Sequence, residues 1–319
     1  MLLNLFWLIL GVVMVILAAE AVVRGAASLA KRLRVSELFI GLTIVAFGTS
    51  LPELMVNLIA SVDNNEGIVV GNIIGSNLFN VLLILGIGAL IRELKVVRDT
   101  VITEISFSII AVLMIGFAAN DYLPSLNQDG HITRSDALQM LTVFGLFSYF
   151  VFLRGFRVTI DIDLDFKILP IWQIVFYLAG GFIALFWGGR LVVTEAIFFA
   201  EYFGVTQTFI GLTLVSGATS LPELATSVVA ALRHRDNIAI GNVVGSNIFN
   251  SLFILPVSAL VRDIPFEARI NVDLGVLIIA SFALTGFMRF RRRCKISRGN
   301  GVVLLIMYVA YMAFIFHRG

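Results

Sequence analysis

One polar stretch of sequence occurs twice in this chain, and the two copies constrain its fold more than any other feature. Residues 41–54 read GLTIVAFGTSLPEL and residues 211–224 read GLTLVSGATSLPEL. Residues 71–80 read GNIIGSNLFN and residues 241–250 read GNVVGSNIFN. Every matched residue is displaced by 170 positions without a gap. A fixed-period repeat is the first thing to establish about a fold, and it predicts that the chain consists of two related halves.

The composition predicts an all-α polytopic membrane protein. Hydrophobic residues make up 59% of the 319 residues and charged residues 14%, against roughly 45–50% apolar residues in soluble domains. Apolar segments of about 20 residues, enough to cross a bilayer, occupy nearly the whole chain and leave no room for a soluble domain. The segment from Leu2 to Val23 is too long for a signal-peptide core, so we expect it to remain as the first helix.

Charged and Gly/Pro-rich punctuation divides the chain into ten predicted transmembrane helices. They lie near residues 3–24, 37–60, 67–91, 101–118, 136–153, 170–198, 206–231, 237–261, 270–288 and 301–316. Of the 23 Lys and Arg residues, 17 fall in loops on one side of this arrangement and 4 on the other. The positive-inside rule then predicts cytoplasmic basic loops and both termini outside the cell membrane.

The repeat offset also fixes the expected relation between the halves. An offset of 170 residues crosses the membrane five times, so the second copy enters from the opposite face. We therefore predict two inverted-topology five-helix repeats, an architecture typical of secondary transporters with a substrate site near the membrane midplane. The predicted divisions are residues 1–153, a short cytoplasmic connector at 154–169, and residues 170–319. The connector carries three aspartates in TIDIDLDF, at 159–166, which we interpret as a solvated loop rather than a calcium site.

The first repeated motif places a carboxylate inside a membrane-spanning segment. Pro52 has no N–H for the carbonyl four residues earlier, so the helix is expected to kink and expose backbone oxygen. Helical spacing stacks Thr49 and Ser50 on the same face as Glu53. The second copy repeats the arrangement with Thr219, Ser220, Pro222 and Glu223. No Lys or Arg lies in the four spans that carry the motifs, so Glu53 and Glu223 are predicted to bind cations.

The second motif adds neutral oxygens. Asn72, Ser76 and Asn80 fall at successive i, i+4 positions, and Asn242, Ser246 and Asn250 repeat them. Carboxylate, amide, hydroxyl and carbonyl oxygens without Cys or His are the ligands of hard cations such as Ca²⁺. A hydroxyl alone could instead bond to its own helix, and an asparagine alone could join two helices. We find no catalytic constellation, and we expect neither an enzyme nor a nucleic-acid partner or cofactor.

The paired motifs, GTSLPEL with GNIIGSNLFN and ATSLPEL with GNVVGSNIFN, resemble the two repeats of the cation/calcium antiporter superfamily, in its prokaryotic sodium/calcium exchanger branch. The resemblance implies ions bound between helices two, three, seven and eight, with two long helices sliding to alternate access. It implies Glu53 and Glu223 as the central metal ligands. The other ligands that it implies are Thr49, Ser50, Thr219, Ser220, Ser76, Ser246, Asn80 and Asn250, with the carbonyls of Ala46 and Ser216.

The chain departs from some relatives, which carry Asp at the position of Asn250. Two carboxylates are then the whole anionic complement of the site, so one Ca²⁺ or two Na⁺ neutralise it. The leading hypothesis is Ca²⁺ extrusion driven by inward Na⁺, with Na⁺, Ca²⁺ and the lipid bilayer as partners and an open oligomeric state. A proton/calcium antiporter and a passive cation channel are the alternatives.

Overall fold

A computed structural model describes residues 2–63, 66–95, 103–120, 130–155, 168–202, 216–289 and 294–318. Nearly all of these residues are helical, as predicted. The helices are α1 Leu2–Leu33, α2 Glu37–Ile40, α3 Ala46–Thr49, α4 Leu51–Val62, α5 Glu66–Leu78, α6 Leu85–Ile91, α7 Glu104–Ala119, α8 Arg134–Gly155, α9 Ile171–Tyr202, α10 Ser216–Thr219, α11 Leu221–Leu232, α12 Asp236–Phe249, α13 Leu255–Val261, α14 Asn271–Arg289 and α15 Arg298–Arg318.

Three π-helical turns interrupt the long helices. The turn π1, Gly41–Val45, joins α2 to α3; π2, Phe79–Ile84, joins α5 to α6; and π3, Asn250–Ile254, joins α12 to α13. A 3₁₀ turn, Ala268–Ile270, precedes α14. The sequence analysis did not predict these π turns, which occur mostly as single-turn bulges inside α-helices and often at functional sites.

Two small antiparallel sheets join the halves. Strand β1, Leu94–Lys95, pairs with β4, Lys295–Ile296, and strand β2, Gly130–Ile132, pairs with β3, Ile264–Phe266. Each sheet connects the segment after α6 or α13 with the segment before the last helix of the other half. Pairing satisfies backbone groups that would otherwise be orphaned where these helices end.

Within the described ranges, seven helical segments are long and apolar enough to cross a membrane. These are Leu2–Leu33, Ile68–Ile91, Arg134–Gly155, Ile171–Phe199, Asp236–Val261, Ala268–Met288 and Arg298–Arg318. An eighth is the bent pair Glu37–Thr49 and Leu51–Val62, whose axes differ by 44°. Glu104–Ala119 and Leu221–Leu232 are apolar but shorter. The chain is therefore an all-helical integral membrane protein.

Several predicted boundaries were wrong. The first span continues to Leu33 instead of ending near residue 24, because Ala26, Ala27 and Ala30 extend a helix-favouring segment that is buried against the bundle. The sixth continues to Tyr202 instead of 198. Residues 156–167, which include the aspartates of the connector, lie outside the described residues, as do residues 206–215 of the predicted seventh span.

The long helices α1 and α9 run antiparallel and in close contact at the periphery. A Cβ added to Gly11 would lie 3.0 Å from a methyl of Val192, and one added to Gly181 would lie 2.6 Å from a methyl of Val22. Shifting Gly11 by +170 and Val192 by −170 gives Gly181 and Val22, so the two contacts are related by the repeat. Only 22% of each helix's most apolar window is buried, compared with 72% for Ile68–Ile91 and 78% for Asp236–Val261. The motif-bearing spans therefore form the centre.

Small residues allow the central helices to approach closely. A Cβ added to Gly245 of α12 would lie 2.7 Å from the carbonyl oxygen of Leu42 and 2.6 Å from Cβ of Ala46. Gly241 lies equally close to backbone atoms of Leu38. This confirms the predicted role of the second motif's glycine pair. Gly71 and Gly75, the matching pair, have no described atom within 4 Å of such a Cβ.

Candidate ion-binding site

Both proline motifs break their helices at the serine before the proline. Ser50 lies between α3 and α4 with φ −85° and ψ 5°, and Ser220 lies between α10 and α11 with φ −87° and ψ 5°. Pro52 and Pro222 are the second residues of α4 and α11, as the predicted break requires. Each break begins a new helix inside the protein, and the positive end of a helix dipole favours a carboxylate in its first turn.

Glu53 and Glu223 occupy those first turns, and each is bonded to the opposite half. The hydroxyl of Ser50 lies 3.0 Å from Oε1 of Glu223, and that of Ser220 donates a 3.2 Å hydrogen bond to Oε1 of Glu53. Both glutamates are essentially fully buried, with exposures of 0% and 1%. In the part of the chain that the structure describes, neither forms an ion pair with Lys or Arg. The predicted pair of carboxylates is thus brought to one place.

Five oxygens of the predicted ligands are buried without a hydrogen-bond partner. They are Glu53 Oε2, Glu223 Oε2, Ser76 Oγ, Asn80 Oδ1 and Asn250 Oδ1. They come in two repeat-related pairs and one single atom. The expected partner of that atom, Ser246 Oγ, instead lies 3.0 Å from the hydroxyl of Ser50. Buried polar atoms are normally satisfied, so a cluster of orphaned acceptors indicates a missing donor or cation.

The two threonines are held by asparagines of the opposite half. Thr49 Oγ1 lies 3.0 Å from Oδ1 of Asn242, and the hydroxyl of Thr219 donates to Oδ1 of Asn72 at 3.3 Å. Thr49 Oγ1 also lies 3.1 Å from the carbonyl of Val45. The alternative of a hydroxyl bonded within its own helix is therefore available to Thr49.

The second-motif asparagines at the start of each stripe are fixed from behind. The amide of Asn72 donates to Asn57 Oδ1 at 3.1 Å, and that of Asn242 donates to Ser227 Oγ at 2.9 Å. Both Asn72 and Asn242 therefore connect the two motif helices of their own half. Their amide oxygens accept the threonine contacts rather than remaining free.

The predicted carbonyl ligands lie one turn before the breaks. The carbonyl of Ala46 accepts a 3.0 Å bond from the backbone N–H of Ser50 and lies 3.3 Å from Thr49 Oγ1. Ser216, its counterpart, is the first residue of α10. At Ala46 the backbone is still helical, so the exposed carbonyl expected from the proline kink lies closer to the break than this position.

Sequence reasoning missed two further asparagines, Asn77 and Asn247. Both are almost completely buried and hydrogen-bond to the ligand asparagines of the opposite half. Asn80 lies within π2 and Asn250 begins π3, so both predicted amide ligands occupy widened turns. Asn77 and Asn247 do belong to the duplicated GSN sequence, which was the available signal. They fall off the i, i+4 stripe and were not singled out.

The site is chemically an oxygen cage with a formal charge of −2. Its free atoms are carboxylate, amide and hydroxyl oxygens, the ligands preferred by hard cations. Among the described residues, no three His, Cys, Asp or Glu side chains cluster as a conventional metal site. The arrangement suits a labile cation in a membrane interior rather than a permanently bound structural metal.

Comparisons with known proteins agree with this chemistry. A family model described as sodium/calcium exchanger protein matches residues 3–153 and 173–317, one stretch in each half. The sodium/calcium exchanger MaX1 of Methanosarcina acetivorans is 33% identical to this chain, over 98% of this chain and 99% of its own. The putative antiporter CaxA of Alkalimonas amylolytica is 33% identical over 99% of both.

A solved structure supports the same relationship. The sodium-calcium exchanger NCX_Mj, soaked with Na⁺ and Ca²⁺, superimposes with a TM-score of 0.81 at 30% identity, covering 98% of each chain. The family consists of transporters rather than enzymes. With both halves matched in sequence and nearly the whole chain matched in structure, the protein is a member of the sodium/calcium exchanger family of integral membrane antiporters.

Proposed function

We propose that this protein exchanges Na⁺ for Ca²⁺ by alternating access, with inward Na⁺ driving Ca²⁺ out of the cell. The observation that carries the proposal is the cluster of five orphaned oxygens contributed by Glu53, Glu223, Ser76, Asn80 and Asn250. Leaving such atoms unsatisfied costs about 1–3 kcal/mol each, and more for charged groups. A bound cation would offset this cost.

Glu53 and Glu223 are the central ligands in this proposal, and they are shared between ions. The remaining proposed ligands are the side chains of Thr49, Ser50, Thr219, Ser220, Ser76, Ser246, Asn80 and Asn250 and the carbonyls of Ala46 and Ser216. Ca²⁺ accepts six to eight oxygens in flexible geometry. Competition between Na⁺ and Ca²⁺ for the same two carboxylates would couple their movements, because an ion shifts the inward/outward equilibrium only through its different affinity for the two states.

The proposed architecture is ten spans in two inverted repeats, with residues 1–153 and 170–319 as the halves and 154–169 as the connector. The antiparallel packing of α1 and α9 supports inversion, because these helices are repeat counterparts. The ninth and tenth spans of the count would be α7 and the segment that ends in α10 and α11. Both termini would lie outside the cell membrane and the basic loops in the cytoplasm.

The relatives support the choice of ions. MaX1 is named a sodium/calcium exchanger, and NCX_Mj has been solved after soaking with Na⁺ and with Ca²⁺ or Sr²⁺. A site with charge −2 is neutralised by one Ca²⁺ or by two Na⁺. Either load lowers the cost of moving the buried carboxylates through a low-dielectric interior, whereas an empty site would keep that cost.

The test is Ca²⁺ uptake by sealed vesicles containing the purified protein. Vesicles loaded with Na⁺ and diluted into Na⁺-free buffer should accumulate ⁴⁵Ca²⁺, and vesicles with equal Na⁺ on both sides should not. Protein-free vesicles control for leak. Uptake that ignores the Na⁺ gradient would refute Na⁺ coupling, and single-channel currents without a counter-ion would identify a passive channel instead.

A proton/calcium antiporter is the second candidate. The observation that favours it is the pair of buried glutamates without a described Lys or Arg partner, because protons could neutralise them as well as Na⁺. Ca²⁺ uptake driven by a pH gradient in Na⁺-free vesicles, and unaffected by added Na⁺, would select this candidate. Uptake that needs Na⁺ and continues when the pH gradient is collapsed by an ionophore would exclude it.

A further inference from the structure

Asn80 and Asn250 are held by a hydrogen-bond network that crosses between the halves. The amide nitrogen of Asn80 donates to Oδ1 of Asn247 at 2.9 Å, and that of Asn250 donates to Oδ1 of Asn77 at 3.2 Å. These two bonds are related by the 170-residue offset. Since each ligand asparagine has its nitrogen committed, its Oδ1 is the atom left unpartnered. The network therefore fixes which end of each amide is offered to a cation.

The supporting asparagines are themselves held differently. Asn77 donates to the hydroxyl oxygen of Ser251 at 2.8 Å, whereas Asn247 donates to the backbone carbonyl of Asn77 at 3.4 Å. The repeat explains the difference, because the counterpart of Ser251 is Val81, which has no polar atom. A hydroxyl can donate or accept a hydrogen bond, and a carbonyl can only accept.

We infer that Asn77 and Asn247 are positioning residues that orient the amide ligands, and that Ser251 lets position 250, but not position 80, accommodate an ionised carboxylate. This inference rests on the proposed ligand roles of Asn80 and Asn250. An aspartate needs a donor where the amide needed an acceptor. Asn77 can supply that donor by turning its amide over, because the Ser251 hydroxyl can then donate to Oδ1 of Asn77.

Asn247 cannot make the same adjustment. Turning its amide would place Oδ1 against the carbonyl oxygen of Asn77, and two acceptors would then face each other without a hydrogen. An ionised aspartate at position 80 is therefore left against Oδ1 of Asn247 or forces that second conflict. Buried polar groups without matching partners are strongly destabilising. The two halves thus differ in the charge that they tolerate, although their ligand asparagines are identical.

The first experiment compares N80D with N250D, each with Ser251 present and with S251A. The substitutions add the same charge at repeat-related positions, so their difference isolates the network. Melting temperatures are measured on the full-length protein in detergent, in alkaline buffer without Na⁺ and with Ca²⁺ chelated. We expect N80D to melt several degrees below N250D. We expect S251A to lower N250D to the level of N80D, while lowering N80D only as much as it lowers the wild-type protein.

Equal melting of N80D and N250D, or an equal effect of S251A on both, would overturn the inference. This cycle does not depend on the transported ions. If the cycle behaves as expected but Ca²⁺ does not raise the melting temperature of the wild-type protein, the proposed function fails while the network stands.

The second experiment tests positioning with N247L, which keeps the approximate shape of the side chain and removes the acceptor for Asn80. We expect the KM for Ca²⁺ to rise about tenfold with little change in the maximal rate, as for loss of a partner behind a metal ligand. The matched control is N120L, which removes a buried asparagine pair with Asn271 away from the site. It should lower the melting temperature without changing KM. An unchanged KM in N247L would exclude a positioning role.

Discussion

The hydroxyl of Ser50, from the first half of the chain, lies 3.0 Å from the carboxylate of Glu223, from the second half. The repeat-related contact joins Ser220 to Glu53 at 3.2 Å. Each helix break therefore contributes a carboxylate to the site and a hydroxyl that supports the other half's carboxylate. Binding an ion at one glutamate is consequently felt in both halves, which is a useful property for a site that must open alternately to two sides.

The first prediction concerns the carboxylates. Glu53→Gln and Glu223→Gln should each reduce Na⁺-driven Ca²⁺ uptake by more than the roughly 10- to 100-fold that loss of an outer partner costs a metal site. Folding should survive, because a buried amide costs less to desolvate than a carboxylate. Uptake in vesicles and monodispersity in detergent are the measurements. Glu93→Gln, at an ion pair with Lys295 away from the site, is the control; full exchange in both glutamine variants would refute the site.

The second prediction concerns the cross-half hydroxyls. Ser50→Ala and Ser220→Ala should each weaken apparent Ca²⁺ affinity about tenfold, since hydrogen bonds to charged groups contribute about 1.5–3 kcal/mol. The measurement is the Ca²⁺ concentration at half-maximal uptake. Ser258→Ala is the matched control, because this buried hydroxyl donates to the carbonyl of Ile254 in its own helix. Similar affinities in all three variants would mean that Ser50 and Ser220 have no part in binding.

The third prediction concerns the close approach of the central helices. Gly245→Ala should destabilise the protein by about 1–3 kcal/mol, the usual cost of overpacking. The new methyl would lie within 3 Å of both the carbonyl oxygen and Cα of Leu42, and backbone cannot move aside cheaply. Thermal unfolding in detergent measures the effect. Gly145→Ala in α8, where no described atom lies within 4 Å of the added methyl, should leave stability equal or slightly higher; equal losses in both would contradict the packing.

The fourth prediction concerns orientation. Cys294 is the only cysteine in the sequence, lies between α14 and α15, and is partly exposed. The distribution of basic residues predicts that it faces the cytoplasm. A membrane-impermeant thiol reagent should therefore label it in inside-out vesicles and not in intact cells. The control is Cys294→Ser with Asp63→Cys at the exposed end of α4, which should give the opposite pattern. Labelling of Cys294 from outside the cell would reverse the proposed topology.

The sequence predicted the helical membrane class and the chemistry of the site with few errors. Glu53 and Glu223 were identifiable because ionisable residues in apolar segments without a basic neighbour are rare. The boundaries of α1 were harder to predict, because Glu20, Arg24 and Lys31 suggested an interface where the helix in fact continues. Glu20 remains within the helix by pairing with Arg233 at the end of α11, a partner that no local pattern reveals.

The repeat, the membrane class and the oxygen-only character of the site were determined by the sequence alone, because duplication, hydropathy and residue chemistry are all local properties of the chain. The tertiary structure decided which residue meets which. Helical periodicity relates Ser50 to Glu53 on one helix, but only packing brings Ser50 to Glu223 and Asn77 to Asn250. The π turns at Asn80 and Asn250 were likewise undetectable, since Gly86 and Pro256 follow them at equivalent positions and no shared local residue accounts for both. The contacts between the halves arise from two broken helices fitting against each other, and that fit depends on the whole bundle.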